Sequence, residues 1–149
     1  MRVLLIGYGK IAKIHIKYLI KNKIAWDWYD PYVKGGLENL EDLQDFDSVF
    51  ILTPEHTHYQ TYIMIRNLGY SKKIFLEKPA VLDPNHFSVF EDDKVFIGLV
   101  ERFNPAVIAL KNNIDSSKIL NIDFSRCCVA DHSSRVSVLE DIGIHDIDL

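Results

Sequence analysis

The chain has 149 residues, the size of one ordinary domain of ~100–200 residues. Hydrophobic residues make up 48% and charged residues 26%, a globular balance that excludes an intrinsically disordered chain. Lys and Arg total 17 against 21 Asp and Glu, for a formal charge of −4. With no basic cluster large enough to form a face, nucleic acid and anionic membrane are not expected partners. The two cysteines, Cys127 and Cys128, are adjacent and cannot build a framework of crosslinks, which fits a reducing compartment. The apolar start stops at a Gly-x-Gly followed by lysines, which is not a secretory signal. No run approaches the length of a membrane span, so a soluble, cytoplasmic protein is expected.

In chain order, residues 3–6 form a short apolar run closed by Gly7, the pattern of a strand buried on both faces. Over residues 10–22, Ile11, Ile14, Tyr18 and Leu19 recur at helical spacing and predict an amphipathic helix. Residues 24–30 read as a second strand ended by Asp30-Pro31, and Gly35-Gly36 as a turn. Residues 37–45 read as a short acidic helix or turn. Residues 48–52 form a third strand stopped by Thr53-Pro54, and 57–67 a helix with Gly69 as its C-terminal stop. Residues 73–76 and 95–100 complete the short β runs, with only a short segment around 85–91 between them. Strand–helix alternation of this kind implies a mostly parallel sheet covered by helices. Beyond residue 100 the organisation changes. Asn104-Pro105 starts a helix to about residue 113, residues 118–129 alternate loosely as a longer strand, and 138–149 read as a helix.

Gly7-Tyr8-Gly9-Lys10-Ile11-Ala12 is G-x-G-x-x-A between a strand and an amphipathic helix. The first glycine permits the tight turn, the second lets backbone approach a pyrophosphate, and Ala12 allows close packing of helix on strand. The helix start offers free N–H groups for phosphate. Asp30 ends the second strand about 20 residues further on, where a carboxylate accepts from an adenosine ribose. It would repel a 2′-phosphate, and no Arg follows it, so NAD is expected over NADP. The alternative for these residues is a packing turn and a strand-end Asp. His56 and His58 form H-x-H, but no third ligand is suitably spaced and a polar helix start explains them better than zinc. His15, His86 and His132 carry no motif. Cys127 and Cys128 lack the cationic surroundings of a nucleophile. No metal site is expected.

Thr53-Pro54-Glu55-His56-Thr57-His58-Tyr59 and Phe75-Leu76-Glu77-Lys78-Pro79 resemble the Gfo/Idh/MocA family of nicotinamide-dependent sugar and polyol oxidoreductases. Glu101-Arg102-Phe103-Asn104-Pro105-Ala106-Val107 and Asp141-Ile142-Gly143-Ile144-His145-Asp146-Ile147-Asp148-Leu149 extend the match in the family's order. The resemblance implies a Rossmann-type doubly wound α/β domain over residues 1–103. Residues 104–149 would be a linker helix plus the first strand and helix of a truncated α+β substrate or dimerisation domain. It implies cofactor contacts at Gly7, Tyr8, Gly9, Lys10, Ile11, Asp30, Thr53, Pro54, His58, Glu77, Lys78 and Pro79. It makes Lys78 the cation beside the nicotinamide and the reacting hydroxyl, and Asp141 with His145 an Asp-x-x-x-His pair on one helix face. Oxidising a carbinol requires loss of the hydroxyl proton, a base role that suits histidine near neutral pH. The closing segments look most like the branch that oxidises the 3-hydroxyl of UDP-N-acetylglucosamine or its uronic acid. On that analogy Arg102, Arg126 and Arg135 would neighbour substrate phosphate or carboxylate.

The family usually carries a full helix between Glu-Lys-Pro and the next strand, and a further open antiparallel sheet after the Asp/His helix. An isolated strand and helix would leave apolar surface and an unpaired edge. A homodimer or a separately encoded second half is therefore the expected partner. Three readings stay open at this point: an NAD-dependent dehydrogenase of a sugar or nucleotide sugar in minimal or split form, a non-catalytic dinucleotide-binding subunit or regulator, and a truncated product without activity of its own, which retention of the Asp/His pair disfavours.

Overall fold

The computed structural model describes residues 1–90, 92–123, 125 and 143–148. By contacts between Cα atoms the chain divides into two compact units, Met1–Gly98 and Leu99–Leu149.

The first unit is a five-stranded, wholly parallel sheet. Its strands are β1 (Arg2–Ile6), β2 (Ala25–Tyr29), β3 (Ser48–Ile51), β4 (Lys73–Leu76) and β5 (Val95–Ile97), in the order β2-β1-β3-β4-β5. Helix α1 (Lys10–Lys21) joins β1 to β2, and α2 (His58–Asn67) joins β3 to β4. Alternation along β1 shows why the sheet needs cover on both sides. Val3 and Leu5 pack with Ala12, Ile16 and Leu19 of α1, while Leu4 and Ile6 pack with Val49, Ile51, Tyr62, Ile65, Ile74 and Leu76. Each such fully buried aliphatic contributes about 1.5–3 kcal/mol. The doubly wound architecture expected from the strand–helix alternation is the one observed.

Helix α1 presents a different face to the sheet from the one its bulky residues suggest. Ile11, Ile14 and Tyr18 are exposed, and Ala12, Ile16 and Leu19 are buried. The reason is the glycine turn. It seats Ala12 directly on the strand, and residues 16 and 19 follow it at helical spacing. Helix α2 ends as expected, with Gly69 at φ +80 and its N–H on the Arg66 carbonyl, a glycine C-terminal stop. Arg66 fastens the next connection, donating to the Tyr62 hydroxyl, the Tyr70 and Lys72 carbonyls, and Asp92. Residues 37–45 settle as turns with a 3-10 turn at Leu43–Asp45, and a longer 3-10 stretch, Pro84–Phe90, precedes β5.

In the second unit α3 spans Pro105–Asn113, with the Asn104 side chain accepting from the Ala106 N–H and Pro105 at the first turn. This is the start signal read from Asn104-Pro105. A 3-10 turn at Ser116–Lys118 follows, and residues 119–123 are irregular. The strand expected over 118–129 is therefore not found in its described part, and its remainder lies outside the described residues. Of the expected closing helix, the described part contains α4 (Ile144–Ile147). Among the described residues no helix is long and apolar enough to cross a membrane.

Candidate functional site

Strand order reverses at β1: the chain passes from β1 to β2 on one side, and β3 lies on the other. The carboxyl ends of β1 and β3 thus border the crevice where open α/β sheets take ligands. Gly7 leaves β1 at φ +96, and a Cβ on it would lie 2.8 Å from the Leu52 carbonyl oxygen and 3.0 Å from the Thr53 nitrogen. This glycine is required by the protein's own backbone. Gly9 differs, since a Cβ there would meet nothing within 4 Å. It stands at the N-cap of α1, where no side chain caps the helix and no acidic residue occupies the first turn. The first N–H groups of α1 are thus without a side-chain cap, at the positive end of the helix.

Asp30 follows β2 and reaches across to the glycine turn. Its Oδ2 accepts from the Tyr8 N–H at 2.9 Å and its Oδ1 from the Tyr32 N–H at 2.9 Å. The carboxylate fixes the turn and the chain leaving β2 together, and each oxygen keeps a lone pair for a further donor. Tyr8 stacks on Trp28 with ring centroids 4.0 Å apart. A Cβ on Gly36 would collide with the same indole, which explains the second glycine of that turn. The Tyr32 side chain, beside Asp30, is 94% exposed.

On the β3 side, the Thr53 Oγ1 is buried without a hydrogen-bond partner among the described residues. His56 is exposed, whereas His58, at the start of α2, is 1% exposed. The H-x-H pair is thus split between solvent and interior. The His58 ring lies between two carbonyl oxygens, with Nδ1 2.8 Å from that of Pro79 and Nε2 2.9 Å from that of Thr53. Both ring nitrogens face the protein, and His58 stands at the helix start that the sequence pattern expected. It joins two loops. The reason is its position at the first turn of a helix packed against the central strand β3.

Glu77-Lys78-Pro79 follows β4, with a cis Lys78–Pro79 bond. The Glu77 N–H continues the ladder onto the Ile51 carbonyl. Its Oε2 accepts from the Lys78 N–H at 3.3 Å, and its Oε1 lies 2.9 Å from His15 Nε2. A Cβ on Gly98 would approach that Oε2 to 3.2 Å, so glycine leaves room for the carboxylate. His15 was without a motif in the sequence. Its partner is 62 positions away, and the available signal was a histidine beside the face marked by Ala12, Ile16 and Leu19.

In the second unit Arg102 pairs through two nitrogens with both carboxylate oxygens of Asp148. The guanidinium holds the Asp148 carboxyl below the usual carboxylate range, and Asp148 in turn raises Arg102. His145 is buried, and its Nδ1 has no hydrogen-bond partner among the described residues. Asp141, Arg126 and Arg135 lie outside the described residues. Among the described residues no group of His, Cys, Asp and Glu could hold a metal ion.

A parallel sheet with a glycine-rich β-α turn at its switch point and an acidic residue ending the second strand defines a Rossmann-type domain. No family model matches the chain. Inositol 2-dehydrogenase of Rhizobium meliloti (strain 1021) is 26% identical over 174 aligned positions, covering 97% of this chain and 52% of that protein. UDP-N-acetylglucosamine 3-dehydrogenase GnnA from Acidithiobacillus ferrooxidans shares the fold with a TM-score of 0.63 and 21% identity, over 75% of this chain and 42% of its own. The WlbA (WbpB) dehydrogenase from Thermus thermophilus, solved in complex with NAD and UDP-GlcNAcA, gives 0.54 at 25% identity, over 75% and 46%. The chain is thus similar to dehydrogenases of the kind that the motif resemblance implied. It spans about half the length of the relatives it matches.

Proposed function

We propose that this chain binds NAD(H) at the β1–β3 switch point and serves an oxidoreductase that moves a hydride between nicotinamide and a carbinol of a sugar, polyol or nucleotide sugar. The observation that carries the reading is the contrast between the glycines. Gly7 is imposed by the Leu52 and Thr53 backbone, whereas Gly9 borders space that no protein atom fills. A phosphate at the uncapped start of α1 gives that space a purpose. The orphaned Thr53 Oγ1 and the Asp30 carboxylate fit the same group, one as a hydroxyl in need of a partner and the other as an acceptor for ribose hydroxyls. Asp30 favours NAD over NADP, and the NAD complex of WlbA supports a nicotinamide dinucleotide.

The bound nicotinamide supplies the hydride acceptor or donor. Lys78, on its turn after β4, is assigned the cation that polarises the substrate oxygen. Glu77 and Pro79 shape the wall that carries it, and Tyr8, Lys10, Ile11 and Pro54 line the dinucleotide's path. In the second unit His145 is assigned proton removal from the hydroxyl and Asp141 the orientation of its imidazole. The His145 Nδ1, without a hydrogen-bond partner among the described residues, supports that assignment. A nucleotide-sugar substrate of the UDP-N-acetylglucosamine type, reacting at its 3-position, is supported by the names of the GnnA and WlbA relatives. Arg126 and Arg135 are then candidates for its charged groups. Arg102 would first have to leave Asp148. A second copy of the chain is proposed as partner.

The test is NAD reduction with a panel of polyols, hexoses and UDP-amino sugars. Turnover is expected, lost in Lys78→Ala and His145→Ala while NADH binding persists. Cofactor binding without turnover on any substrate would instead make the chain a non-catalytic dinucleotide-binding subunit.

A further inference from the structure

We propose that His58 and His15 are positioning residues that clamp the Glu77-Lys78-Pro79 turn from behind. The geometry on the nicotinamide side would then be set by two side chains that touch neither cofactor nor substrate. The functional consequence rests on the dinucleotide reading above; the clamp itself does not.

His58 links parts of the chain that the sheet ladder does not. Its acceptors belong to Thr53, just past β3, and to Pro79, just past β4. At 1% exposure, with a carbonyl at each ring nitrogen, the imidazole has no polar atom left for a ligand. A neutral ring offers one N–H and the cation two, so every protonation state holds at least one of the two loops. The Thr53 and Pro79 residues so held are those whose side chains were assigned to the cofactor wall. His58 was itself among the expected cofactor contacts; its geometry gives it an indirect role.

His15 holds the same turn from the other face of the sheet. Its ring meets Phe50 and Phe75 edge-on, with centroids 5.6 and 5.2 Å away, which restricts its rotamer and aims Nε2 at Glu77 Oε1. The other carboxylate oxygen takes the Lys78 N–H. A single carboxylate therefore ties helix α1 to the peptide that carries Lys78. Gly98 leaves the space this requires.

The experiment is hydrogen–deuterium exchange on the full chain without cofactor, paired with NADH titration, for His58→Phe, His15→Leu and His15→Gln. Phe keeps the ring volume and removes both nitrogens; Gln keeps a donor for Glu77. His58→Phe is expected to speed exchange about tenfold in at least one of the segments after β3 and β4, the size of effect one lost buried hydrogen bond produces. His15→Leu should do so after β4 alone, and His15→Gln should restore protection. Amides of β1 should stay unchanged, and the NADH dissociation constant should rise about tenfold in His58→Phe. Wild-type exchange in both loops of every variant would overturn the proposal, as would a uniform rise across the sheet, which marks a merely structural role. Loosened loops in a chain whose wild type binds no NADH would support the clamp and overturn the dinucleotide reading. If His58→Phe does not fold, His58→Gln, with one amide donor for two carbonyls, carries the same comparison.

Discussion

The same small substitution at two glycines, two positions apart, should damage different things. In Gly7→Ala the new Cβ would sit 2.8 Å from the Leu52 carbonyl oxygen and 2.9 Å from its carbon, on a residue at φ +96. A side chain held in that region costs about 1–3 kcal/mol. The contacts are with backbone, which cannot swing aside, so a total of roughly 3 kcal/mol is expected, a fall in Tm of about 6–12 °C for a chain of this size. Gly9 has φ −83 and open space around it. Gly9→Ala should therefore cost no more than about 1 kcal/mol, the scale of an N-cap change. It should nevertheless weaken NADH, because the methyl occupies the place assigned to phosphate. Thermal melts followed by circular dichroism, with an NADH titration of each variant, separate the two effects. A Gly7→Ala protein as stable as wild type, or a Gly9→Ala protein destabilised as much as Gly7→Ala, would refute the reasoning.

Three further outcomes are expected. Asp30→Ala removes the acceptor for the Tyr8 and Tyr32 N–H groups and should raise the NADH dissociation constant about tenfold or more while narrowing the preference over NADPH, read from parallel titrations. Arg66→Ala should lower stability by about 3 kcal/mol, because it leaves the Tyr70 and Lys72 carbonyls and Asp92 without their shared donor; Arg66→Lys should not rescue it, since an ammonium cannot reproduce the fork. Asp148 has a carboxyl lowered by Arg102, so its contribution to stability is present above the unfolded carboxylate range near pH 4 and is lost as the pH falls through the lowered folded value. Melts of wild type and Asp148→Asn should accordingly differ at pH 7 and converge toward pH 2–3.

How much could be read in advance depended on whether the deciding contacts were local. The β1 run and the Asn104-Pro105 helix start are set by neighbours in sequence, while the G-x-G-x-x-A turn and Asp30 carry a fixed spacing that marks their distant contacts in advance; each stands where its pattern put it. Of the apolar residues that predict α1, Leu19 is buried while Ile11, Ile14 and Tyr18 are exposed, because the turn, through Ala12, fixes the helix's rotation. His58 and His15 were opaque for another reason. Their partners on the turn after β4 lie 21 and 62 positions away, and that turn meets α1 and α2 only once the sheet is assembled. Arg102 looked available to substrate in the sequence because nothing local marks Asp148, 46 positions on, as its partner.

The central claim, that the open start of α1 receives a dinucleotide, is tested most directly by titrating the purified chain with NADH and watching protein fluorescence. Trp28, stacked on Tyr8 of the glycine turn, lies beside the site and should report energy transfer to the nicotinamide. The account predicts saturable quenching, weaker with NADPH, and weakened again in Gly9→Ala with Tm nearly unchanged. A folded chain that shows no saturable response, or a Gly9→Ala variant that binds as wild type does, would contradict it.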